Sequence, residues 1–340
     1  MLCSTCLAPL LACLACFPSV TPQRGFCFTE APFPECHAAS VVETCEGLLV
    51  AYFAGSAEGA ADVGVWLSRR VDEHWSPPKR LLTATDAAGR PVPCWNPVLW
   101  HGEDGSLLLF YKAGPSPRDW WGLISVSTDC GRTWGPSRRL PNGFLGPIKN
   151  KPLLLPGGRL LCGSSSEHPD WQIHLETSDP MGTEWTKTAT LSKPPAVQLI
   201  QPTLLRHSDT CLQMLCRSQQ QSIYELWSED AGRTWSEPRS TTLPNPNSGI
   251  DSVTLVRGGH LLVYNHSTSE RTPLVVTHSA DGRAWKPIHT LESEPGEYSY
   301  PAIIQADDGQ VHVVYTWRRQ RIAHVELTPP SGSSPPDHQP

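Results

Sequence analysis

Short apolar runs recur along the chain, each entered through a polar or glycine-bearing turn. LLVAYFAG (48–55), LLLFYKAG (107–114), RLLCGSSS (159–166), LQMLCRSQ (212–219), LLVYNHST (261–268) and VHVVYTWR (311–318) follow CEG, EDG, PGG, HSD, RGG and DDG in turn. Each precedes a second strand-like run, such as DVGVWLS or SIYELWS. Runs of this length, rich in β-branched and aromatic residues and bounded by turn residues, predict strands, and no stretch between them has helical periodicity.

A second pattern punctuates the first. SVSTDCGRTW (125–134) ends in Ser-x-Asp-x-Gly-x-Thr-Trp; SEDAGRTW (228–235) repeats it, and SADGRAW (279–285) repeats it one residue shorter. SRRVDEHW (68–75) and SDPMGTEW (178–185) keep the Ser–Trp frame while the middle drifts. The closing tryptophans, Trp75, Trp134, Trp185, Trp235 and Trp285, are separated by 59, 51, 50 and 50 residues. The motif suits a hairpin staple: Asp accepts backbone N–H bonds, Gly takes a positive φ, and Trp packs back on the sheet. It accounts for folding and says nothing of chemistry. Units of this length with several short strands each predict the blades of an all-β, six-bladed β-propeller. The last unit, Tyr298 to Leu327, lacks the motif, and GFCFT (25–29) is expected to supply its missing outer strand.

Composition narrows the reading. A chain of 340 residues with 34 Pro, 26 Gly and 13 Trp has the turns and large side chains of a single propeller over 25–327. A net charge of −6 leaves no basic stripe for nucleic acid, and no internal stretch is long and apolar enough to span a membrane. Residues 1–24 have the apolar stretch of a leader but no Lys or Arg before Arg24. Secretion or a periplasmic location follows if that segment is a signal peptide, a cytoplasmic one otherwise. Two C-x-x-C pairs there lie too close together for a zinc knuckle, so no metal is expected. The other eight cysteines read as buried thiols, and TPPSGSSPPDHQP (328–340) as a disordered tail.

In a propeller the innermost strand of each blade runs along the central axis, so the residues opening those strands face one funnel. The openings HAASVV, NPVLW, KPLLL, QPTLL, DSVTL and YPAII give a ring of His37, Asn96, Lys151, Gln201, Asp251 and Tyr300. All six are polar, where a merely solvated channel would tolerate small or apolar members, and this points to a binding site. Strand ends and the loops beyond add Glu58, Asp62, Lys112, Arg217, Arg271, Trp317 and Arg318.

The boxes, the blade count and the funnel residues together resemble the sialidase (neuraminidase) superfamily with bacterial neuraminidase repeats, over about residues 25–327. That resemblance implies three arginines on the sugar carboxylate, a Tyr–Glu nucleophile pair and an Asp acid/base. Arg217, sixteen residues after Gln201, and Arg271, eight before Ser279, match two of the arginines. Tyr300, nine before Gly309, matches the nucleophile, with Tyr298 in Tyr298-Ser299 as competitor, and Asp62 falls within one residue of the acid/base. Two positions depart: His37-Ala38-Ala39 replaces Arg-Ile-Pro, and Gln201 replaces the Glu, leaving Asp251 or Glu297 as substitute carboxylates.

The chemistry favours a tyrosine. A carboxylate nucleophile would be repelled by a substrate with its own carboxylate at the reacting carbon, whereas a phenol would not. The resemblance implies an exo-glycoside hydrolase releasing sialic acid or a related acidic sugar from a glycan, without cofactor. Two rivals stand beside it: a carbohydrate-binding propeller without turnover, which Gln201 supports, and a protein-interaction propeller, which predicts a bland funnel without the boxes.

Overall fold

The computed structural model describes residues 23–192 and 194–330, so most of the leader, with its two C-x-x-C pairs, and most of the tail lie outside the described residues. Six antiparallel sheets, with no helix among the described residues, form a six-bladed propeller. The innermost strands are Glu35–Thr44, Cys94–His101, Leu153–Leu154, Leu199–Arg206, Asp251–Thr254 and Tyr298–Gln305. The apolar runs identified in the sequence form the second strands, and these are buried almost throughout. The ring closes as expected, although the strand from the N-terminal side is Gln23–Phe26, which pairs with Arg321–Leu327 of the last blade. Apolar clusters fill the seams between blades; Leu261, Val263, Val276, Ile303, Val313 and Tyr315, for example, join the fifth blade to the sixth.

The motif loops behave as their chemistry requires. Asp129 accepts Thr133 N at 2.9 Å, Ser127 Oγ accepts Gly131 N at 2.9 Å, and the Trp134 indole donates to Gly131 O at 3.2 Å. Gly131 has φ +81°, a conformation open to it because it lacks a Cβ. Trp185, Trp235 and Trp285 make the same indole bond to Gly182, Gly232 and Gly282. SRRVDEHW differs. Strands Gly64–Val71 and His74–Trp75 close through Asp72-Glu73, both at positive φ, and Trp75 rests 5.3 Å from the His324 ring.

The inner strands run from the end bearing residues 37, 96, 201 and 300 towards the first hairpin turns. The motif loops therefore sit on the face away from the funnel mouth, whereas the turns between second and third strands return to the mouth. On the far face the reading of all eight cysteines as thiols is corrected. Cys45, in the first turn of blade 1, forms a disulfide with Cys130 in the blade-2 motif loop, with Cα atoms 6.0 Å apart. Both lie in turns that adjacent blades bring together, which spacing along the chain does not reveal. The remaining described cysteines are free, and all but Cys211 are buried.

Candidate functional site

Four innermost strands break register near the mouth, between His37 and Ser40, Trp95 and Val98, Ile200 and Thr203, and Ser299 and Ala302. At each break one residue takes a left-handed conformation: Ala38 (φ 56°), Asn96 (φ 40°), Gln201 (φ 54°) and Tyr300 (φ 51°). Such bulges re-aim a side chain at a cost, and they persist where the surrounding fold enforces them. In three of the four a proline follows, which fixes the next φ. Blade 1 has Ala39 instead, so its bulge residue is Ala38. The ring assignment of His37 is therefore one residue early, because alignment on the apolar opening had no proline to anchor it.

The bulges of blades 4 and 6 meet at the axis. Gln201 Nε2 donates to the Tyr300 hydroxyl oxygen at 3.2 Å, and Arg217 Nη1 donates to the same oxygen at 3.0 Å. Arg217 also donates to Gln201 Oε1 at 3.1 Å and, through Nε, to Asn247 Oδ1 at 2.7 Å. Its guanidinium lies over the rings of Trp171 (5.3 Å) and Tyr300 (5.8 Å). Arg217 is 7% exposed, and among the described residues no carboxylate pairs with it. His37 packs against Tyr300 with ring centroids 4.2 Å apart, and its buried Nδ1 has no partner. Burial, followed by the charges of Arg319, Arg271, Arg217 and Lys149, holds the His37 imidazole far below its usual pKa. It is a neutral ring among four cations.

A second group closes the blade-6 side. Arg271 Nη1 pairs with Glu297 Oε1 at 2.6 Å, and Arg319 Nε with Glu297 Oε2 at 3.0 Å, while a further Arg319 nitrogen bonds Glu58. Burial works against the Glu297 carboxylate, but the bond from Arg319 and the charges of Arg271 and Arg319 outweigh it and hold its pKa down. Arg318 and Arg319 are the central residues of the Trp317–Gln320 turn, in a three-residue hairpin connection, with φ 51° and 56°. That geometry ordinarily favours Asn-Gly. Here it turns neighbouring side chains apart: Arg319 joins the site, whereas exposed Arg318 reaches the Tyr298 hydroxyl at 3.1 Å and the Pro295 carbonyl at 3.2 Å.

Several expected residues lie elsewhere. Asp251 is deeper in the channel, level with Thr203 and Ile303: it accepts Thr203 Oγ1 at 2.9 Å, Lys151 Nζ at 2.9 Å and Ile303 N at 3.0 Å, and makes no bond to Tyr300. The expected Asp251–Tyr300 base pairing is thereby corrected, and Lys151 goes with Asp251. Lys112 is fully buried on the Pro147 carbonyl, its ammonium brought down to about 7 by burial against the pull of Glu176, so it faces a blade seam and not a ligand. Trp317 packs against Phe26 (5.4 Å) and Tyr298 (6.4 Å). Tyr298 is a core residue, 1% exposed. Asp62 lies in the 56–63 loop at the mouth, exposed, its oxygens accepting Ser56 N (3.0 Å) and Ser56 Oγ (2.8 Å).

Sequence reasoning missed Arg319, Asn247, Trp171, Glu167 and the dipeptide Lys149-Asn150. Lys149 Nζ donates to the Ile250 carbonyl at 3.0 Å and to that of Pro301, while Asn150 Nδ2 donates to the Gln201 and Pro202 carbonyls, both at 3.1 Å. One dipeptide from blade 3 thus braces both bulges that carry the central pair. Its only signal in the sequence was its place directly before Lys151.

Over residues 46–313 the chain matches the BNR repeat-like domain model. No curated protein matches it. Among solved structures, a protein of unknown function from Dyadobacter fermentans shares the fold at TM-score 0.76 and 17% identity, covering 92% of this chain and all (100%) of that one. A Hadza microbial sialidase gives 0.72 at 16%, covering 86% of this chain and 66% of the other. The intramolecular trans-sialidase of Ruminococcus gnavus gives 0.71 at 12%, covering 86% and 94%. At these identities the likeness is one of fold.

Proposed function

The chain belongs to the BNR repeat-like domain family, and on that premise we propose that it is an exo-acting glycoside hydrolase removing a terminal sialic acid or related acidic sugar from glycans. One observation carries the reading: Arg217, nearly buried, spends its hydrogen bonds on neutral acceptors and has no ion-pair partner among the described residues, beside the Tyr300 oxygen. A guanidinium so placed suits a ligand carboxylate. Arg271, tied to Glu297 and Ser299 through Nη1, is the second donor in this reading. His37 stands where the family has its third arginine and contributes a neutral ring, which predicts a weaker grip on the carboxylate.

In the proposed reaction Tyr300 attacks or stabilises the anomeric centre. Its oxygen receives two N–H bonds, from Gln201 and Arg217, so negative charge developing there is stabilised and its own proton is directed away from both. The sialidase names of two structural neighbours support the substrate class. A second reading, a glycan-binding propeller without turnover, is favoured by one observation: no carboxylate hydrogen-bonds Tyr300 among the described residues. Incubation with an aryl sialoside separates the two. Release of the aryl alcohol supports the hydrolase; saturable binding with no release from this or related aryl glycosides supports the lectin.

A further inference from the structure

Beside the funnel, between blades 2 and 3, lies a cavity of about 270 Å³ that no part of the proposed reaction uses. Its walls come from the blade-2 turn carrying Trp120 and Trp121, from Asn142 and Phe144 on the crossing to blade 3, and from Glu167 on the blade-3 turn. The volume lies just below the usual small-molecule range of about 300–1,000 Å³. Its lining combines aromatic rings, that of Trp121 carrying the Arg139 guanidinium 4.8 Å from its centroid, with polar groups left free. Among the described residues, neither indole N–H, nor the Asn142 amide, nor the Glu167 carboxylate has a hydrogen-bond partner. Indole rings, Trp121 with Arg139 on one face, flanked by uncommitted donors and acceptors suit a sugar, whose C–H faces stack while its hydroxyls bond at the rim.

The cavity adjoins the funnel. Trp120 packs on Trp95 (6.1 Å between centroids) and in the cluster that includes Tyr300. Glu167 feels the charges of both Arg217 and Glu58. The other carboxylates around the axis are engaged: Glu58 and Glu297 by arginines, Asp251 by Lys151, and Asp62 by two donors of Ser56. Glu167 is half-buried and held by no bond.

Resting on the hydrolase reading above, we propose that this cavity receives the neutral sugar to which the acidic residue is linked, and that Glu167, which lines it, hands the proton to the leaving oxygen. The glycosidic C–O bond breaks with its electron pair on that oxygen, which takes the Glu167 proton. Water then supplies the hydroxyl to the acidic sugar and returns a proton to Glu167, so the sum is sugar–OR plus water to sugar–OH plus ROH. Burial, set against the nearby Arg217 charge, raises the Glu167 pKa and keeps the acid form available to higher pH.

The test uses the full chain and two substrates: an aryl sialoside with an acidic nitrophenol leaving group, and sialyllactose, whose leaving group is a poor one. E167Q is expected to lose about a hundredfold or more in kcat/KM on sialyllactose, and less than about tenfold on the activated aryl sialoside. W121A is chosen because Trp121 lies outside the Tyr300 cluster; it should raise KM for sialyllactose about tenfold more than KM for the aryl substrate. If D62N shows the leaving-group split and E167Q does not, the proton-donor assignment is overturned. If W121A changes both KM values equally, or neither, the leaving-sugar pocket is overturned. Should the wild type cleave neither substrate, the hydrolase reading fails and the proton-donor role with it. The pocket is then judged by lactose titration of tryptophan fluorescence, where a saturable change lost in W121A sustains it and no change removes it.

Discussion

Arg217 is the residue on which the acidic-sugar reading turns, and its surroundings set the size of the effect. Three bonds hold it, at 3.0, 3.1 and 2.7 Å, all to neutral oxygens of Tyr300, Gln201 and Asn247. Arg217→Ala therefore strands no buried carboxylate, and the folding cost is limited to uncapped polar acceptors, about 1–3 kcal/mol. The loss in transition-state binding is larger if a substrate carboxylate occupies the free edge, because truncating one partner of a buried charge pair costs about 2–5 kcal/mol. At about 1.4 kcal/mol per decade that is roughly 30- to 4,000-fold in kcat/KM. Arg217→Lys keeps the charge but cannot reach Tyr300, Asn247 and a ligand at once, so rescue should be poor. The assay is steady-state hydrolysis of an aryl sialoside alongside a neutral aryl glycoside, with urea midpoints to confirm folding. A folded Arg217→Ala enzyme with unchanged efficiency on the sialoside refutes the reasoning and leaves a neutral glycan as substrate.

Three further outcomes are expected. Tyr300→Phe should lose at least about a hundredfold in kcat with little change in KM, whereas Tyr298→Phe, which alters a core residue bonded to Arg318, should lower the urea midpoint and spare turnover; the reverse pattern sinks the assignment of Tyr300. Breaking Cys45–Cys130, which spans 85 residues, should cost about 4.5 kcal/mol by chain entropy, so a reductant should lower the urea midpoint of the wild type and leave a Cys45→Ala/Cys130→Ala protein unmoved. A wild type indifferent to reductant contradicts that estimate. His260 and His324 are held down to about 3, chiefly by burial, against an unfolded value near 6.5. Below pH about 6.5 the unfolded chain binds protons that the folded one refuses, so stability should fall by about 2–4 kcal/mol between pH 7 and pH 5, and equal urea midpoints at the two values would count against this.

The fold was legible because its determinants are local. A Ser-x-Asp-x-Gly-x-x-Trp loop satisfies itself within eight residues, and its period alone counts the blades. The site was legible only where local cues continued into it: Arg217 and Tyr300 sit at strand ends whose register the turns set. Where the outcome depended on pairing across blades, the sequence was silent. The chain does not distinguish Arg318 from Arg319 until a tight turn with both at positive φ sends one to Tyr298 and the other to Glu297. Nor does it show that Lys112 ends on a carbonyl in a blade seam, or that Asp251 lies two to three residues below the bulges.

Gln201 shows what only geometry adds. The resemblance to sialidases implies a carboxylate where the sequence has the amide of Gln201, and read alone this is a loss of charge. In place, it is also a reversal of direction. A carboxylate at that position can only accept, so it would draw the phenol proton towards itself. The Gln201 amide accepts from Arg217 through Oε1 and donates to the Tyr300 oxygen through Nε2. Because Arg217 can only donate, the orientation of the amide is fixed by its neighbour. Two donors now converge on the tyrosine oxygen, and its hydrogen must point to a third acceptor, in the funnel or on a ligand. The group that takes that proton therefore arrives with the substrate or approaches the tyrosine oxygen from a side other than those held by Gln201 and Arg217.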